Sequence, residues 1–155
     1  MPIRVILQPA GMSAATTHFV DTIENLVPID QISPFVTKAL EEKLRSHGVD
    51  DHVAVWGVQA GHQEVNVGKW DRMSPGDVAL FGRSGKIISY ATVIGKIHSA
   101  ELAVELWRQD KDGKTWEYVY FLANPVSLGL KYKDFNKIVG YSEGYVFRGF
   151  NVMKS

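Results

Sequence analysis

Apolar and polar positions alternate through "HVAVWGV" (52–58), and the alternation stops around Gly57 and Gly61. A period of two marks a strand with one buried face. The same period runs through "PGDVALFG", which opens on a Pro-Gly turn, and through "KIISYATVIGKIH", with "RSG" as the hairpin between them. "TWEYVYFL" reads as a further strand, "THFVDTIEN" (17–25) as a first one and "GYSEGYVFRGFNVM" as a closing one. The period changes in "SPFVTKALEEKLRSHG", where Phe35, Ala39, Leu40 and Leu44 form the apolar stripe of a helix. Ser33 is placed to cap it, Pro34 takes its first position and Gly48 lies just past its end. "SAELAVELWRQ" predicts a shorter helix capped by Ser99, followed by a turn at "DKDGK". Residues 77–81, 87–97 and 116–122 are expected to be neighbouring strands of one curved sheet. Helix 34–46 is expected on its outside or across an end.

Residues 1–17, with Pro2, Pro9, Gly11 and a Ser/Ala/Thr run, read as a flexible lead-in, and residues 18–155 as one domain. Six or so short strands with two helices predict an α+β chain with a small, curved or barrel-like sheet. A chain of 155 residues is long enough to bury one core. No stretch has the length of a membrane span. The absence of cysteine removes disulfides, thiol nucleophiles and cysteine zinc sites together. These features fit a cytoplasmic protein.

The 17 basic and 17 acidic residues cancel. A protein held to nucleic acid by phosphate contacts alone would be basic. The last 25 residues are a local exception: Lys131, Lys133, Lys137, Arg148 and Lys154 stand against Asp134 and Glu143. Catalytic patterns are missing. None of His18, His47, His52, His62 and His98 has metal-pair spacing, and the ordinary reading of each is a surface or loop histidine. "GRSGK" lacks the nucleophile-elbow pattern, and "GHQEVNVGK" lacks phosphate-loop spacing. No nucleophile is paired with a base, and no metal or cofactor is expected. The residues point away from an enzyme.

The aromatic population has a phase. Trp116, Tyr118 and Tyr120 alternate and are expected on one strand face, with Val119 and Phe121 on the other. Such a face suits either a pocket wall or an aromatic core.

Taken in order, "VAVWGV", a Gly/Asn-bearing loop, "KWDRMSPGDVALFGRSGKIISYATVIGKI", a short helix and "WEYVYFL" resemble the PUA-like superfamily, and within it the EVE and YTH modules. "KWDRMSPGDVALF" is similar to the EVE pattern, in which a Met-x-x-Gly-Asp turn launches a barrel strand. "VW", a loop and "FGRSGKI" resemble the YTH pattern. The likeness spans about residues 18–153 and implies a PUA-like curved β-barrel with flanking helices. EVE-type modules also stand at the front of modification-dependent, McrB-like restriction systems, and "THFVDTIEN" with the following helix and "VWGV" looks like those modules.

What the resemblance implies is a reader of a modified base, methylated adenine or cytosine. Its partner would be nucleic acid, DNA rather than RNA, and a separate nuclease or NTPase module would act on it. Such a reader flips the base out of the stack, and recovers the cost by stacking and edge hydrogen bonds. Trp56 matches the first cage tryptophan, Gly57 would offer its backbone, and Tyr118 stands where a second cage tryptophan lies. Asn25, Asn66, Trp70 and Tyr90 complete the expected pocket. Arg83, Lys86, Lys131, Lys133 and Arg148 are the expected contacts to the nucleic-acid backbone. Three alternatives stay open: an RNA reader of the YTH or PUA kind, a protein-interaction domain using the aromatic face, and an ASCH-like small-molecule enzyme. The last would draw on Lys69, Asp71 and Thr92.

Overall fold

The computed structural model describes residues 3–146 and 148–153. Among them one sheet runs in the order β2-β3-β6-β5-β4-β1-β7. Its strands are β1 (Val5–Pro9), β2 (Val27–Pro28), β3 (His52–Val58), β4 (Val78–Arg83), β5 (Lys86–His98), β6 (Tyr118–Lys131) and β7 (Asn151–Val152). All neighbours are antiparallel except β1 and β4. The helices are α1 (Ser13–Phe19), α2 (Ile29–Ile32), α3 (Lys38–His47), α4 (Val65–Asp71), α5 (Ala100–Trp107) and α6 (Tyr132–Val139). The chain is thus a mixed α+β fold.

The period of two sorts the side chains into two main cores. Ile6, Trp56, Phe81, Val93 and Tyr120 pack on one face with Phe19 and Ile23. Val55, Ile94 and Phe121 pack on the other against α2, α3 and α5, through Ile29, Ile32, Leu44, Leu102 and Trp107. A third cluster joins Leu7 and Ile87 to Tyr132 and Phe135 of α6. The fully buried Tyr120 hydroxyl of β6 donates to Gln8 Oε1 of β1 at 3.0 Å, across the first face.

The expected neighbours β4, β5 and β6 are adjacent in the sheet, and the β4–β5 turn falls at Ser84 and Gly85, both with positive φ. A two-residue turn of that kind matches the twist of its strands. Ser99 caps α5 by accepting from Leu102 N.

Four expectations are corrected. Residues 17–25 are not a strand: α1 continues into a π-helical turn over Val20–Glu24. The β-branched Thr17, Val20, Thr22 and Ile23 favour a strand locally. Packing overrides them, because helical spacing brings His18, Phe19, Thr22 and Ile23 onto one buried side. The flexible lead-in is likewise replaced, since β1 pairs with both β4 and β7 and buries Ile6 and Leu7 on opposite faces. A short strand buried on both faces reads as a plain apolar run, and its parallel partner lies 73 residues away. Ser33 and Pro34 form a 3-10 turn, and the cap of α3 is Thr37, whose hydroxyl accepts from Leu40 N. Finally, β6 begins at Tyr118, so Trp116 precedes the strand and packs with the second core rather than sharing the face of Tyr118 and Tyr120.

Ile6→Ala is expected to cost about 2–5 kcal/mol of unfolding free energy, read from a denaturant titration. A disposable lead-in would instead leave the midpoint unmoved.

Candidate functional site

The site is built on the outer edge of β3. Antiparallel pairing with β6 uses every second residue of a strand, and the others point their N–H and C=O outward. Along β3 the outward residues are the odd-numbered ones. Asp51 O accepts from Ile29 N, and Val53 pairs with Val27 of β2. Val55 O accepts from the Thr22 hydroxyl, and Gln59 O accepts from Asn66 Nδ2 at 3.0 Å. Only Gly57 in this row has no described partner on its outer N–H and C=O.

A cavity of about 230 Å³ opens at that gap. It is lined by Trp56, Gly57 and Val58 of β3 and by Gln59 just after it, by Ala15 and His18 of α1, and by Gln8 and Pro9 of β1. Asn66, Trp116 and the segment Arg148–Phe150 complete it. Drug-sized ligands need roughly 300–1,000 Å³, so this space has the size of a smaller group such as a single ring.

Each wall has a cause. Thr22 ties the π-helical turn to Val55, which holds α1 against β3 and brings His18 to the cavity. Gly57 has no room for a side chain, because a Cβ there would meet the Trp116 carbonyl oxygen and the Trp107 ring at 2.6 Å. Asn66 stands in the first turn of α4, behind a loop that turns at Gly61 and is strained by positive φ at Gln63 and Glu64. Lys69 of α4 donates to Phe150 O at 3.0 Å and fixes the C-terminal segment beside the cavity. Lys96 closes the other end of α4, donating to Trp70 O and Asp71 O while its ammonium lies 4.5 Å from the Trp70 ring centroid. A cation at a helix C-terminus is stabilised by the negative end of the helix dipole.

Trp56 is both core and wall. It is only 3% exposed and packs edge-on against Phe81 and Phe19 at 5.2 and 6.3 Å, and its Nε1 is buried without a partner. His18 is 8% exposed, with its ring edge-on to Trp116 at 4.3 Å. Burial pushes its pKa below the ordinary 6.5, against a smaller upward pull from Asp21. His18 corrects the surface-histidine reading. Helical spacing with Ala15, Phe19 and Thr22 is the signal that finds it, and it is hidden once 17–25 is taken for a strand.

The cavity gathers Trp56, Gly57, Asn66 and Arg148 from the expected site residues. The others stand elsewhere. Trp56 pairs in register with Tyr120, whereas Tyr118 stacks on His98 at 4.3 Å and meets Trp70 edge-on at 5.4 Å. Trp70 Nε1 donates to Val119 O. Asn25 closes the π-helical turn by donating to Val20 O, and Tyr90 is on the exposed side of β5. Arg83 donates to Ala10 O and lies over the Phe19 ring at 5.1 Å, so its guanidinium is a tie within the fold. Lys86 faces Lys131 across the far end of β5 and β6, and Lys133 lies in α6. Lys69 is held by Phe150 O, while Thr92 is exposed on β5.

No protein-family model matches the chain, and no curated protein matches it in sequence. Among solved structures the chain is similar to the N-terminal domain of Thermococcus gammatolerans McrB bound to m5C DNA. The TM-score is 0.70 at 15% identity, covering 97% of this chain and 90% of that one. The likeness is one of fold. No helix among the described residues is long and apolar enough to cross a membrane.

Two outcomes follow. Gly57→Ala should lower unfolding free energy by about 1–3 kcal/mol through overpacking, with a change in tryptophan fluorescence; an unaltered protein would place Trp107 and Trp116 elsewhere. His18 binds its proton later in the folded than in the unfolded chain. Its contribution to stability is therefore whole above pH 6.5 and declines as the pH falls from there through the lowered folded value. A melting-temperature profile should show that decline, and His18→Gln should flatten that part of it.

Proposed function

We propose that the protein reads a modified base in DNA, taking the extruded base into the cavity on the β3 edge. The observation that carries this reading is the conjunction of aromatic walls with the one residue of the outer β3 row, Gly57, that has no described partner. A flat ring entering there gains stacking, worth about 1–3 kcal/mol per base. It also meets the backbone N–H and C=O of Gly57, which have no partner among the described residues. The fold similarity to a domain bound to m5C DNA supports the same reading over nearly the whole chain.

In this proposal Trp56, Gly57 and Asn66 contact the base, and Arg148, exposed at the cavity, meets a phosphate. Tyr118 and Trp70 act from behind, holding α4 and the start of β6. Lys86, Lys131 and Lys133 give at most a distant, sequence-independent attraction. The sheet would curve as in a PUA-like barrel, a reading supported by the Tyr120–Gln8 bond between β6 and β1 and by β1 and β3 lining one cavity. Cleavage would fall to a separate nuclease or NTPase module, this chain supplying the targeting.

Matched DNA and RNA oligonucleotides carrying 5-methylcytosine, 6-methyladenine, 5-hydroxymethylcytosine or no modification test the proposal by fluorescence anisotropy. The expected result is preference for one modified DNA, diminished in Trp56→Phe and Asn66→Ala. Arg148→Ala should weaken modified and unmodified DNA alike, and by more than Lys131→Ala. Equal binding of all oligonucleotides would remove the base-reading function, and preference for modified RNA would move it to an RNA reader.

A further inference from the structure

His18 is more than nine-tenths buried and lines the cavity, yet neither ring nitrogen has a hydrogen-bond partner among the described residues. Neither is among the polar atoms sealed from solvent without a partner. The ring thus keeps a small exposure, and it stands in the lining of the cavity. A buried imidazole without a hydrogen bond is costly unless something else supplies one. Its neighbours cannot: Trp116 presents a ring edge and Trp107 a tilted ring at 5.6 Å, and the Trp107 Nε1 is itself buried without a partner.

We infer that His18 reads the hydrogen-bonding edge of the extruded base, its unprotonated ring nitrogen accepting an N–H from the base's exocyclic amine. The inference rests on the base-reading function proposed above and deepens it, for it makes the pocket selective for amino-bearing bases, cytosine or adenine type. Cytosine and adenine carry an amino donor where thymine carries a carbonyl acceptor. An imidazolium has two donors and no acceptor, so protonation would cancel the preference. Burial keeps the ring neutral near pH 7. The charged groups around it are few. Asp21 stands on the same helical segment and Arg148 on the C-terminal segment, while the cavity residues of β1, β3 and α4 bring no charge.

The test compares two single-stranded probes that differ only at one central base, 5-methylcytosine or thymine. Both carry the same methyl group, and they differ at the amino or carbonyl edge. Anisotropy titrations run from pH 8 to pH 5.5, with circular dichroism at each pH to verify the fold. The wild-type protein should prefer 5-methylcytosine about five- to tenfold near neutral pH, and lose that preference as the pH falls from 6.5 through the lowered value of His18. His18→Gln, whose amide accepts without titrating, should bind 5-methylcytosine with a flat pH profile. His18→Phe, which keeps the packing against Trp116, should lose the preference at every pH. A wild-type preference for 5-methylcytosine that ignores pH, or a His18→Gln profile that still follows it, would overturn the role of His18 and leave the reader intact. A third probe with unmodified cytosine at the same position tests the reader itself: if the wild-type protein does not distinguish 5-methylcytosine from it at any pH, the base-reading function fails. Should either variant not fold, the wild-type profile still decides.

Discussion

An edge strand must satisfy the backbone groups that no neighbouring strand takes, and the molecule meets that demand along β3 residue by residue. β2 covers only the first two positions, a helical segment reaches Val55 through the Thr22 hydroxyl, and Asn66 reaches Gln59. Gly57 is left between them. An unpaired peptide group sealed in protein costs free energy comparable to a lost hydrogen bond, so its gap is stable only where solvent or a ligand enters. The cavity follows from that constraint. So do the glycine, which leaves room for Trp107 and the Trp116 carbonyl, and the placing of α1 and α4 on either side.

Trp56 shows how closely the site is joined to the core. The same strand period that turns Gly57 toward Trp107 turns Trp56 toward Phe19 and Phe81. A wall made of a core side chain is rigid and needs little ordering when a ring stacks on it. Its removal mixes loss of stability with loss of binding. Groups that only line the space, such as Asn66 and Arg148, separate the two effects more cleanly.

Electrostatics play a local part. The chain is neutral overall, Arg83 is spent on Ala10 O and Phe19, and the facing Lys86 and Lys131 repel each other away from the site. Like charges directly opposite on a sheet destabilise it. Among the described residues, that leaves Arg148 as the cation lining the cavity. Recognition under these conditions depends on shape and hydrogen bonding more than on counterion release.

The sequence by itself determined the elements whose partners are near in the chain. The β4–β5 hairpin follows from Ser84-Gly85, α5 from its Ser99 cap, and the alternation of "HVAVWGV" marks Trp56 and Gly57 as residues on opposite faces. Each depends on steric and hydrogen-bonding rules within a few residues. Tertiary structure decided the rest. Strand β1 exists because β4, 73 residues on, pairs with it, and α1 with its π-helical turn exists because β3 buries a side that local propensity would give to a strand. The cavity could not be read from its residues, since Gln8, His18, Gly57, Asn66 and Arg148 come from five separate segments. Their meeting is set by long-range pairing, and only that pairing leaves one peptide edge open between them.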